Sequence, residues 1–161
     1  RWAHFQARQE AKNAELARLR ETVLPPSPEV NAVLAAHGTT PLSSGARLSE
    51  LMKRPQLGYD ALAALDTDRP DLDPLVLEQT EVDLKYEGYI RRERAAIEEM
   101  RRLENRLLPE DADYASITGL RKEAQEKLAR VRPRSVGQAS RISGVSPADI
   151  SVLIVWLSAN Q

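Results

Sequence analysis

Two groups of cations are the side chains here whose types and spacing best suit chemistry, and that chemistry is electrostatic. The first is Lys85, Arg91, Arg92 and Arg94, interleaved with Tyr86 and Tyr89. The second is Lys127, Arg130, Arg132, Arg134 and Arg141. A net charge of −1 over 161 residues hides how strongly charge is divided along the chain. Between Leu120 and Arg141 seven basic residues face only Glu123 and Glu126, while eight acidic residues between Asp60 and Leu84 face Arg69 alone. A basic balance of this kind suits RNA, whose phosphates dominate protein affinity. Its plainer reading is a solvated helix face. The two tyrosines divide in the same way. The favoured expectation puts both rings in the core with their hydroxyls reaching a partner at its edge. The alternative is that they stack on unpaired bases beside the cations.

Catalytic groups are missing by comparison. The glycines stand at 38, 45, 58, 88, 119, 137 and 144, so there is no Gly-x-Gly, no dinucleotide fingerprint and no phosphate-binding loop. His4 and His37 are isolated, and with no cysteine the chain offers neither a metal cluster nor a nucleophile–histidine pair. The expectation is no catalytic, cofactor-binding or metal-binding residue within these 161 positions. The lack of cysteine suits a reducing compartment. The chain opens on Arg1 with no signal-peptide pattern, and its longest apolar run falls short of the ~20 residues that span a bilayer. A cytoplasmic segment of a larger protein, without a membrane anchor, is expected.

The C-terminal stretch carries a second kind of signal. Pro133 breaks a helix, and Gly144 marks a turn that needs positive φ. Ser146 can cap the next helix, with Pro147 at its first position and Asp149 closing a capping box. Rotation of about 100° per residue puts Ile150, Leu153, Ile154 and Leu157 on one face. Val152, Val155, Trp156 and Ala159 fall opposite, and these four are the candidate partner-binding residues. Ser140, Gly144, Ile150 and Leu153 fit the spacing of a helix-turn-helix, yet the helix from Pro147 to Leu157 has no Arg, Lys, Asn or Gln to read bases. Its geometry resembles a DNA reader; its chemistry is protein contact or plain core.

Helices must position these groups. Ala, Leu, Glu and Arg are abundant, Phe occurs once, and strand-like alternation is scarce. The fold class expected is all-α, a multi-helix domain in two small lobes, 1–70 and 71–161, divided at the acidic loop Asp66 to Pro74. Trp2, Phe5, Leu16, Leu19 and Val23 follow heptad spacing, with Gln9 and Lys12 in mid-seam, and Pro25-Pro26 ends that helix. Ser27 and Pro28 open a short helix closed by Gly38. Two short helices hold Leu48, Leu51 and Met52, then Leu62 and Leu65. The longest helix runs from about Leu75 to Arg106, with Val82, Tyr86, Tyr89, Ile97, Met100 and Leu103 as its packing candidates. Glu87–Arg91 and Glu98–Arg102 are possible i,i+4 pairs, each contributing about a few tenths of a kcal/mol. Leu120, Ala124, Leu128 and Val131 form the seam of a further helix.

Three blocks, in order, resemble the C-terminal region of the MnmG family, also called GidA. They are Val136 to Leu157 (VGQASRISGVSPADISVLIVWL), the pattern Lys85-Tyr86-x-Gly88-Tyr89-Ile90, and Glu104-Asn105 through Leu108-Pro109 and Asp113-Tyr114 to Gly119-Leu120. Arg1-Trp2-Ala3 with Phe5, and Leu51, Arg54-Pro55 and Tyr59, fit more loosely. Glu93 departs from the glutamine frequent there, and the chain stops at Gln161 where relatives continue in a short basic tail. The resemblance implies an accessory domain of a flavoprotein that modifies the wobble uridine of certain tRNAs. FAD, reduced nicotinamide and a folate one-carbon donor would act in a part of the enzyme upstream of this segment. A homodimeric parent working with the GTPase MnmE is implied, with this domain docking tRNA and that partner. The two cation groups are then the candidate tRNA-binding residues. A protein-interaction scaffold without RNA contact, or a helix-turn-helix DNA-binding module, are the alternatives.

Overall fold

Serine side chains cap the start of three of the helices, at Ser27, Ser135 and Ser146. In the computed structural model, which describes residues 1–160, α1 covers Trp2–Glu21 and α2 covers Pro28–Ala36. Ser27 caps α2 by accepting from the Val30 N–H at 3.1 Å, and Gly38 closes it at φ 70°. Then come α3 (Leu48–Met52), α4 (Tyr59–Leu62), α5 (Pro74–Glu104), a 3-10 turn (Tyr114–Ser116), α6 (Lys122–Val131), α7 (Val136–Ser140) and α8 (Pro147–Ala159). Two-residue strands β1 (Val23–Leu24) and β2 (Ala46–Arg47) pair antiparallel, Val23 opposite Arg47. They fasten the loop that follows α1 and leave the fold all-α.

The chain forms two compact units, 1–93 and 94–161. This moves the division from 70/71 into α5, and the reason is packing. Leu77 and Leu84, beyond the acidic loop, belong to the same core as Leu19, Leu34, Leu48, Leu51, Met52 and Leu62. The acidic loop is itself tied down within the first unit. Arg18 donates to Glu15 at 2.7 Å and to Asp66 at 2.8 Å, and both carboxylates are buried. The Tyr59 hydroxyl donates to Glu15 at 2.8 Å, while Arg69 lies over the Tyr59 ring and donates to its carbonyl. Buried carboxylates require such partners.

Helix α5 buries a face other than the expected one. Val76, Thr80, Leu84 and Gly88, each four apart, are buried, whereas Val82, Tyr86, Tyr89, Ile97 and Met100 are exposed. Small residues decide this. The Thr80 hydroxyl satisfies itself on the Val76 carbonyl at 2.7 Å, and a Cβ on Gly88 would lie 2.5 Å from the Lys53 carbonyl oxygen. The narrow stripe therefore allows backbones to approach where the bulkier one cannot. The first turns of α1 also extend past the core, with Trp2 and Phe5 exposed and stacked at 5.6 Å; Val23 is exposed as well.

In the second unit α6, α7 and α8 enclose Leu108, Tyr114, Leu120, Leu128, Val136, Leu153 and Leu157. Val131, placed by sequence in the α6 seam, is exposed, because α6 ends there with Arg132 left-handed at φ 52° ahead of Pro133. A Cβ on Gly137 would meet the Glu104 carbonyl oxygen at 2.7 Å, so α7 packs against the end of α5 as only glycine permits. Gly144, at φ 97°, turns the chain into α8, where Ser146 and Asp149 form the expected capping box.

Candidate functional site

Helix α8 presents two unlike faces because its ends are fixed. Leu153 and Leu157 are fully sequestered, and Ile150 and Ile154 pack half-buried against the same core. On the far side Val152 and Trp156 are half-buried and also pack against that core, while Val155 is 69% exposed and Ala159 is exposed. All four candidate partner-binding residues line one apolar groove of about 560 Å³. Its opposite wall is Ser116, Ile117 and Thr118, at and just after the 3-10 turn, with Ser151 and Asn160 at its margins. Sequence reasoning missed that wall, since a loop residue's partner is set by tertiary folding. Tyr114-x-Ser116 beside the family's Gly119-Leu120 block was the available hint.

Asp149 anchors the helix. It is 2% exposed and accepts from the Ser146 N–H at 2.9 Å and from the Arg121 guanidinium at 2.9 Å. Burial pushes its carboxyl up, but the Arg121 and Ser146 donors outweigh that and hold it far below the ordinary carboxylate range.

The cations of the second unit fall into two kinds. Lys127, Arg130 and Arg134 make no side-chain ion pair among the described residues, and Arg130 and Arg134 are exposed. Arg132 and Arg141 are already engaged. Arg132 donates to the Ala112 and Ala129 carbonyls and stands 5.3 Å from the Tyr114 ring centroid; Arg141 pairs with Glu104 at 2.6 Å. Arg94 is exposed at the start of this unit.

In the first unit Lys85 is a structural clamp. Its ammonium donates to the Arg54 and Leu57 carbonyls, and burial pulls its pKa down. Arg91 pairs with Glu50 at 2.6 Å rather than with Glu87, and Arg92 donates to the Lys53 carbonyl at 3.1 Å. Glu87 instead meets Arg20 and Lys53, and further along α5 Glu98 and Glu99 pair with Arg101 and Arg102 at i,i+3. Arg91 and Arg92 line a groove of about 340 Å³ with Lys53, Arg54, Glu50 and Gly88. Hydrogen bonding from Arg91, ahead of Lys53, outweighs burial and holds the Glu50 carboxyl down at about 2. Lys53 and Arg54 escaped the sequence reading because they lie more than thirty positions from Arg91. Tyr86 and Tyr89, expected in the core, are 64% and 53% exposed.

The resemblance places the flavin upstream of this segment, and the glycines here are taken up by packing and turns. Gly88 and Gly137 give their space to protein backbone, Gly45 and Gly58 face the Val23 and Glu81 side chains, and Gly38, Gly119 and Gly144 take positive φ. No group of three or more potential metal ligands occurs among the described residues, and no helix is long and apolar enough to cross a membrane.

Residues 1–94 match the family model of the tRNA modifying enzyme MnmG/GidA C-terminal helical domain, and residues 96–161 match that of the MnmG/GidA C-terminal helical bundle. The tRNA uridine 5-carboxymethylaminomethyl modification enzyme MnmG of Caldicellulosiruptor saccharolyticus is 51% identical over 157 residues, 98% of this chain and 25% of the relative. Its counterpart in Geobacillus thermodenitrificans is 44% identical over the whole chain and 26% of the relative. A crystal structure of Aquifex aeolicus GidA overlaps 97% of this chain and 24% of that one, at 31% identity and a TM-score of 0.42. The chain thus spans about a quarter of the length of the curated relatives it matches. With both family models laid end to end along it, the chain belongs to the MnmG/GidA family and corresponds to that family's C-terminal helical region.

Proposed function

We propose that this chain is the docking region of a tRNA uridine-modifying enzyme, holding tRNA by its basic surface while chemistry proceeds elsewhere in the polypeptide. The observation that carries the reading is the set of cations at α6 and the loop after it. Lys127, Arg130 and Arg134 have no carboxylate partner among the described residues, in a family whose relatives are named for acting on tRNA. Free cations release counterions when they meet phosphate, so binding should weaken steeply with salt. Arg132 and Arg141 contribute less than the sequence suggested, since each already has a partner. Flavin and nicotinamide would be housed in the remaining three quarters of a cytoplasmic, homodimeric enzyme. The test is binding of folded tRNA and of duplex DNA across a salt series. Replacing Lys127, Arg130 and Arg134 by glutamine should weaken tRNA binding and shallow the slope by roughly 0.7–0.9 for each phosphate left unneutralised. An unchanged slope in a folded variant, or equal preference for DNA, would overturn the reading.

A second role rests on the α8 groove. Its apolar lining with polar margins fits a protein segment, and a GTPase partner of the MnmE kind is the occupant proposed.

A further inference from the structure

We infer that the exposed first turns of α1, together with the start of α5, form the seat against which the upstream part of the same polypeptide packs. The inference rests on the family assignment and is independent of RNA binding.

Helix α1 extends well beyond what its own unit covers. Its first buried residue is Glu15, so residues 2–14, about 20 Å of helix, include none that is buried. A helix of that length is marginal in water unless an apolar face is packed. Trp2, Phe5 and Leu75 are nevertheless 69%, 51% and 45% exposed. They are contiguous rather than scattered. Trp2 stacks on Phe5 with 5.6 Å between ring centroids, and Phe5 and Leu75 line one groove of about 310 Å³ with Arg8, Lys12 and Val76. A lone exposed apolar residue is ordinary; a stacked aromatic pair beside a leucine marks a contact surface.

Connectivity selects the occupant. Both matching family models describe C-terminal regions, and the chain spans 25% of its Caldicellulosiruptor relative, so about three quarters of such an enzyme lies outside it. A C-terminal region joins the rest through its N-terminal end, which puts the junction within about one helical turn of Trp2 and Phe5. A tethered neighbour meets the patch at an effective concentration of roughly millimolar, whereas a second copy must find it from solution. Inter-domain contacts within one chain are modest and partly polar, so a patch of this kind suffices. Charge adds the chemistry of the occupant. Lys12 pairs with Asp83 at 3.0 Å, but Arg8, exposed on the groove wall, has no ion pair among the described residues. The upstream segment therefore brings an apolar side chain for the groove and a carboxylate for Arg8.

The test compares hydrogen exchange in the full-length enzyme and in the 161-residue chain. Amides in the first three turns of α1 should be roughly ten-fold better protected in the full-length enzyme. Phe5→Gln with Leu75→Gln, both at exposed positions, should erase that extra protection and leave the melting temperature of the 161-residue chain unmoved. Arg8→Glu should erase part of it, and Arg8→Lys should not. Equal protection in the two parent proteins overturns the inference without any variant. Extra protection that survives in a folded Phe5→Gln/Leu75→Gln enzyme also overturns it, by placing the contact elsewhere. An Arg8→Glu enzyme protected as fully as the parent strikes out the carboxylate. Protection in the isolated chain that rises with its concentration would assign the face to a second copy instead.

Discussion

Asp149 shows how much one carboxylate can organise. It closes the capping box of α8 and, through Arg121, joins the start of α6 to the start of α8. Its depressed pKa has a definite consequence for stability. A carboxyl held down in the folded state stabilises fully above its unfolded value, about 3.9, and that contribution fades as pH falls below it toward the folded value. Asp149→Asn should therefore cost about 1.5–3 kcal/mol at pH 7, the range for hydrogen bonds to a charged group. The gap in melting temperature between parent and variant should narrow between about pH 5 and pH 2, followed by circular dichroism. A gap independent of pH would refute the assignment. Lys85 makes the complementary case. Its sequence neighbours suggested an RNA contact, yet its ammonium is spent on two backbone carbonyls. Lys85→Ala should lower the melting temperature while leaving the salt slope for tRNA unchanged. A shallower slope with unaltered stability would return it to the RNA surface.

At the scale of elements, α8 and α5 show what a sequence discloses. The capping box and the Gly144 turn of α8 were legible, because each is a short-range signal with one physical meaning. Leu153→Ala should then cost ~2–5 kcal/mol, as expected for truncating a fully buried leucine. Val155→Glu should leave the melting temperature almost unmoved, since that side chain faces water. It should abolish association with the proposed GTPase partner, read by co-sedimentation; a folded Val155→Glu chain that still associates would place the interface elsewhere. Helix α5 was misread. It carries two apolar stripes, and hydrophobicity alone favours the one with Val82, Tyr86, Tyr89 and Ile97. Close approach favours the one with Thr80 and Gly88, and nothing within a single helix reveals which neighbour demands it. The candidate site was hidden in the same way. The α8 half of its groove follows from helical periodicity, while Ser116 to Thr118 and the pairing of Arg91 with Glu50 depend on loops whose paths are set by the cores.

The whole molecule has two cores, one built around Leu19, Leu34, Leu51 and Leu62, the other around Leu128, Leu153 and Leu157, and they share no buried side chain. Charge follows the same partition, with the acidic run 60–84 in the first unit and the unpaired α6 cations in the second. Each core should therefore govern its own opening, because protection from hydrogen exchange tracks local packing units. Leu34→Ala, at a site with no exposure, should lower amide protection across α1 to α4 and leave α6 to α8 as they were. Leu128→Ala should do the reverse. Helix α5 is the internal reporter, since it crosses the boundary: amides near Leu84 should follow the first substitution and those near Leu103 the second. With no shared partners, the effects of the two should add within about 0.5 kcal/mol in the double variant. Loss of protection throughout the chain from either substitution alone would mean that the units open together. The surface proposed to dock RNA, in 94–161, would then depend on the stability of a core to which it contributes no side chain.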